Sequence, residues 1–96
     1  MNIDTDAFRA KLQAEGYDEI IERTMTAGST IDEHTHPFDV HLLVLAGEAV
    51  ISCNGQARRL RAGDTLTMAA DTPHTEEYAP GEDYRFIVGR RHRKAA

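Results

Sequence analysis

Two rhythms of apolar and polar residues divide the chain. Over residues 4–15, DTDAFRAKLQAE, Phe8 and Leu12 stand four apart among polar neighbours, the spacing of one narrow helical stripe. Asp4 or Asp6 can accept the free amide hydrogens of a first turn, and Gly16 suits the position just past the end. From residue 17 onward the pattern shortens. Turn formers recur at Gly28, Pro37, Gly47, Asn54-Gly55, Gly63-Asp64, Asp71 with Pro73, and Pro80-Gly81, with runs of Ile, Val, Thr and Leu between them. This predicts strands over 19–25, 30–35, 40–45, 49–53, 57–61, 65–68, 75–78 and 84–89, with Asn54-Gly55 as a hairpin turn. Short strands at regular spacing mean an all-β sandwich or barrel.

With 96 residues, the chain supplies one core and one domain. A reading by segments gives a helix over 1–16, a barrel over 17–90 and a basic tail over 91–96, the run RRHRK (90–94) being a solvated terminus. The net charge of −5 disfavours nucleic acid, whose phosphates reward basic surfaces, and anionic membrane surfaces. Cys53 is the single cysteine, so there is no intrachain disulfide and no Cys-based zinc site. The first residues lack a basic stretch followed by an apolar run, and no apolar run nears the roughly 20 residues of a membrane span. A cytoplasmic protein is expected.

Chemistry enters with IDEHTHPFDVHLLVLAG, residues 31–47, where His34, His36 and His41 lead into an apolar block. Residues two apart on a strand share a face, so His34 and His36 aim together, and two imidazoles can grip one metal ion at about 2 Å. His74 follows Pro73, whose fixed backbone angle sets where the histidine points. A third imidazole can thus return to the same place.

These two segments resemble the two signature motifs of the cupin superfamily. In the first, Gly28 is followed by STIDE, then His34-Thr35-His36, and the block closes at Gly47. In the second, Gly63 is followed by DTLTM, then Ala69–Asp71 in place of Pro-x-Gly, then Thr72, Pro73 and His74. The position of the family's glutamate ligand, counted back from Gly47, is Val40, which cannot bind a metal. His41 takes that place with a longer gap, although strand parity turns Asp39 and His41 away from the face of His34, His36 and Val40. A bulge at Pro37 would reset the phase. His41, or Asp39, is therefore the alternative fourth ligand.

The resemblance implies a small double-stranded β-helix (jelly-roll) barrel with a short N-terminal helix. It also implies a divalent metal ion (Fe, Mn, Ni, Zn or Cu) in the barrel mouth, on His34, His36 and His74 with His41 as the fourth. Such a site leaves positions open for a small molecule and suits an anionic ligand; dioxygenase or isomerase chemistry is the first expectation. A binding or sensory module without catalysis is the second.

Other residues have plainer roles beside sharper ones. Phe38, Leu42, Val44 and Val50 are expected to line the barrel, with Phe38 as a pocket wall. Only one of Glu76 and Glu77 can face inward, where it could act as a general base; Tyr78 and Tyr84 are possible pocket donors. Cys53 is expected as a small, partly buried apolar residue. Leu43 and Leu45, on the outer face of their strand, need cover from the helix or from a second subunit, so a homodimer is expected.

Overall fold

The computed structural model describes residues 3–92. One helix, α1 (Thr5–Ala14), precedes eight strands: β1 (Glu19–Met25), β2 (Thr30–His34), β3 (Phe38–Ala46), β4 (Glu48–Cys53), β5 (Gln56–Arg61), β6 (Thr65–Met68), β7 (His74–Tyr78) and β8 (Tyr84–His92). They form two four-stranded sheets, in the orders β1-β8-β3-β6 and β2-β7-β4-β5, with every pairing antiparallel. This is the all-β architecture that the turn spacing predicts, in the barrel form that the resemblance implies.

Between the sheets lies the main core, built from Leu42 and Val44 of β3, Ala49 and Ile51 of β4, Leu60, Leu66, Tyr78, and Tyr84, Phe86 and Val88 of β8. Parity explains most of it, because Leu42, Val44, Phe86 and Val88 are alternate positions on paired strands. Val50 departs from the expectation. It stands on the outer phase of β4, only partly buried, while Ala49 and Ile51 are buried. In the run Ala-Val-Ile both phases are apolar, so alternation alone does not choose between them.

A second apolar layer lies outside the sheet of β1, β8, β3 and β6. Phe8 and Leu12 of α1 pack with Tyr17, Leu43 and Ile87, and Leu45 packs at its margin. Helix α1 therefore supplies the cover that Leu43 requires. Asp4 caps it by accepting the Ala7 amide at 2.9 Å. Gly89 makes the seat possible, since a Cβ there would come within 2.8 Å of Leu12 Cδ2 and 3.0 Å of Tyr17 Cβ.

Strand β8 runs to His92, past the end at residue 89 that the sequence predicts. Strand β8 continues through Arg90, Arg91 and His92, which pair with Val40, Asp39 and Phe38. The barrel thus extends past residue 90, and only 93–96 of the expected tail lie outside the described residues. No helix among the described residues is long and apolar enough to cross a membrane.

Candidate metal centre

His34 ends β2 and His36 follows it, while His74 opens β7 opposite His34 in the β2–β7 ladder. Two further ties hold these segments together. The Asp71 amide donates to the His36 carbonyl at 2.8 Å, and the Ala70 amide donates to Asp39 Oδ1 at 2.8 Å. Asp71 adopts a left-handed backbone (φ 63°), which aspartate tolerates better than most residues. This lets the short Ala69–Thr72 connection deliver His74 beside the other two rings. The His34 and His74 ring centroids lie 4.2 Å apart, and those of His36 and His74 5.1 Å apart.

The fourth member is Glu76. On β7, His74 and Glu76 are two residues apart and share the inward face, as Tyr78 does. One donor atom from each of His34, His36, His74 and Glu76 falls within 4.8 Å of the others. Donors bound to one ion at about 2.0–2.2 Å stand at most about 4.4 Å apart, so small side-chain rotations close the set.

Hydrogen bonds decide which ring nitrogens are available. His34 Nδ1 lies 2.7 Å from the Asp32 carbonyl oxygen, and His74 Nδ1 lies 2.9 Å from that of Thr72. A carbonyl only accepts, so each Nδ1 carries a proton and donates it. In the neutral rings each Nε2 then presents a lone pair, the arrangement typical of metal-binding histidines. Those Nε2 atoms face Glu76 Oε2, at 3.0 Å from His34 and 3.6 Å from His74. Lone pairs and a carboxylate oxygen converging in this way need a proton or a cation between them. The other carboxylate oxygen, Oε1, accepts the hydroxyl hydrogen of Tyr78.

His36 stacks nearly parallel on Phe38, at 5.0 Å and 12°. Burial, and then the neighbouring His34 and His74, push its pKa below the ordinary 6.5, which favours the neutral, ligating form. A cavity of about 60 Å³ is lined by His36, His74 and Glu76 together with apolar side chains such as Val40, Leu42 and Ile51. Arg23, Arg90 and Tyr84 complete its wall. Arg90 lies 4.8 Å above the Phe38 ring and bonds Glu19 at 2.9 Å.

His34, His36 and His74 are brought together as expected, and His41 is not. The phase of β3 runs unbroken from Phe38 to Val44, with Phe38, Val40 and Leu42 toward the cavity and His41 on the opposite face. There His41 is 6% exposed, between Phe8 and Tyr17, with Nδ1 2.7 Å from Glu15 Oε1. The irregularity in this region lies in β2, between Ile31 and His34, not at Pro37. Asp39 is also outside the centre; besides Ala70 it binds Arg91, whose Nε and Nη2 both reach Oδ2 at 3.2 Å. The sequence left open which of Glu76 and Glu77 faces inward; the structure turns Glu76 toward the three histidines. The signal was His74-x-Glu76, the same two-residue spacing as His34-x-His36. Cys53 stands opposite His74 in the β4–β7 ladder and is not among the converging donors.

Comparison with known proteins follows the same architecture. The model of the AraC-like ligand binding domain family matches residues 16–88. No curated protein matches. Among solved structures, DMSP lyase DddQ from Ruegeria pomeroyi is 27% identical with a TM-score of 0.68, over 80% of this chain and 39% of that one. The chain therefore spans well under half the length of that relative. A predicted oxalate decarboxylase from Thermotoga maritima is 20% identical with a TM-score of 0.68, over 95% of this chain and 76% of that one. A cupin superfamily protein from Desulfitobacterium hafniense is 19% identical with a TM-score of 0.64, over 79% of this chain and 80% of that one. These last two are likenesses of fold. Fold, motif order and family match agree: the chain belongs to the AraC-like ligand binding domain family, within the cupin superfamily.

Proposed function

We propose that this protein is a small cupin metalloprotein in which His34, His36, His74 and Glu76 hold one divalent ion and a small molecule enters the cavity that adjoins it. One observation carries the reading: with both Nδ1 protons spent on backbone carbonyls, the Nε2 lone pairs of His34 and His74 converge on a carboxylate oxygen. Three imidazoles and one carboxylate suit iron, manganese, nickel or zinc, and also copper(II). A bound ion would supply Lewis-acid polarisation of a substrate oxygen or an activated water. The protein's own part is to orient the donors and keep the site dry. Tyr78 fixes the Glu76 carboxylate, the carbonyls of Asp32 and Thr72 fix two rings, and the apolar walls exclude bulk water.

The fourth ligand alters one expectation. Glu76 replaces the missing first-motif glutamate, so the ion would keep a net charge of one rather than two, and a preference for anions must come from elsewhere in the cavity. Within this reading an oxygenase, isomerase or lyase is the activity class, the last in keeping with the DMSP lyase among the similar structures. A second reading, a ligand-binding or sensory module without turnover, draws support from the family's description as a ligand binding domain.

Metal content by mass spectrometry, on untagged protein that has never met a nickel column, tests the centre. The expected result is close to one equivalent of one metal, lost in His34→Ala and His74→Ala and retained in His41→Ala. Protein that neither carries nor takes up metal in excess would overturn the proposal. With metal present, turnover lost in His74→Ala separates the enzyme from the binding module.

A further inference from the structure

Two polar groups that the metal centre does not use line the cavity, one buried and one at its exposed edge. Tyr84 is 1% exposed, and its hydroxyl is buried with no hydrogen-bond partner among the described residues. Native interiors rarely leave such a group unpaired, because it has given up its water for nothing. The ring is locked between Tyr78 and Phe86, at centroid distances of 5.1 and 5.2 Å, so it has little freedom to seek a partner elsewhere.

Arg23 is the second group. It lies on the inward phase of β1, between Ile21 and Met25, which pack against the main core, and it lines the cavity from a solvent-exposed position at its edge. In the β1–β8 ladder Arg23 is opposite Phe86 and Met25 is opposite Tyr84, so Arg23 and Tyr84 are diagonal neighbours on one face, within reach of a common ligand. Arg90 is neutralised by Glu19, whereas Arg23 makes no ion pair among the described residues. Its positive charge is felt at the neighbouring Tyr78 phenol. The nearby carboxylate, Glu76, is already committed on both oxygens.

We propose that Arg23 and Tyr84 form the anion-binding end of the cavity, and that its ligand is a small carboxylate with a second oxygen donor directed at the His34–His36–His74–Glu76 centre. The proposal rests on the metal-centre reading for the second half of that ligand. A planar carboxylate offers two oxygens, one for the guanidinium and one for the hydroxyl. A cavity of about 60 Å³ has room for a few heavy atoms, which favours short hydroxy- or keto-acids over phosphate esters. The metal would take the hydroxyl or keto oxygen, so the two ends read two different groups of one molecule.

The test is calorimetric binding of lactate, pyruvate and glycolate, with lactamide and pyruvamide as neutral controls, to metal-loaded and metal-free protein. At least one acid is expected to bind more tightly than the amides, and Arg23→Gln and Tyr84→Phe are each expected to weaken it by about tenfold or more. Tyr84→Phe without ligand is expected to melt no lower than the parent, since it removes an unpaired hydroxyl and keeps the ring. Acids and amides binding alike, or both variants binding as the parent does, would overturn the anion site while leaving the metal centre standing. Protein that takes up no metal but still binds an acid through Arg23 would keep the anion site and overturn the metal reading. Absence of both would overturn both.

Discussion

Glu76 holds one carboxylate oxygen 3.0 Å from His34 Nε2 while Tyr78 donates its hydroxyl hydrogen to the other. Burial, reinforced by that bond to Glu76, pushes the Tyr78 phenol pKa far above its ordinary value, so Tyr78 stays a donor throughout the working pH range. Tyr78 is therefore the outer support that fixes the carboxylate's orientation. Tyr78→Phe is expected to keep the fold and to weaken metal affinity by about 10–100-fold, read by competition with a chromophoric chelator. An unchanged affinity would remove Tyr78 from the support of the centre.

His41 gives the opposite expectation. His41→Ala removes a buried ring from between Phe8 and Tyr17 and strips Glu15 of its partner, so unfolding in urea should show a loss of about 1–3 kcal/mol. Metal stoichiometry should not change. Loss of metal in this variant would return His41 to the centre.

Metal removal should be visible in stability. An ion that binds only the folded chain adds about 2.7 kcal/mol at a hundredfold excess over its dissociation constant. For a domain of this size that raises the melting temperature by roughly 10–20 °C. Chelation should reverse the shift, and His74→Ala should abolish it.

Acidification should act through His36. Its pKa is lowered in the folded protein, by burial first and by His34 and His74 next, so below the ordinary value of 6.5 the unfolded chain takes up the proton more readily. The associated stability is complete above 6.5 and is lost as the pH falls through the lower folded value. Metal affinity should fall in the same direction, because only neutral imidazole ligates. Chelator titrations and urea melts between pH 5 and 8 would follow both, and His36→Gln should flatten its share of the stability profile.

Gly89 tests the seat of α1. Gly89→Ala brings a Cβ within 2.8 Å of Leu12 and 3.0 Å of Tyr17, and overpacking of this kind costs about 1–3 kcal/mol. The melting temperature should fall while metal affinity holds, since the helix lies on the far side of the sheet from the centre.

The all-β class was legible because turn formers punctuate the chain at strand length, and the barrel and the grouping of His34, His36 and His74 were legible because the two motifs survive. Parity along 38–44 also read correctly: it turned Asp39 and His41 outward, and the structure leaves them there. The interest in His41 came from needing a fourth ligand in the first motif. Glu76 could not be promoted from sequence, because a carboxylate after a histidine looks the same whether solvated or inward, and only the packing of Tyr78 against it decides. Val50 and the Arg90–His92 stretch failed for a related reason. Their phase and their pairing are set by partner strands, which no local pattern records.

Strand β2 is one of the two edges of its sheet, bonded only to β7, and its ladder is interrupted between Ile31 and His34. His34 and His36 sit at that interrupted end, and His74 and Glu76 sit on β7. A shared ion would rivet this edge strand to its neighbour where the backbone ladder is interrupted. Amide exchange along 30–36 would then report occupancy directly, and a metal-starved chain would present an open edge for another chain to pair with.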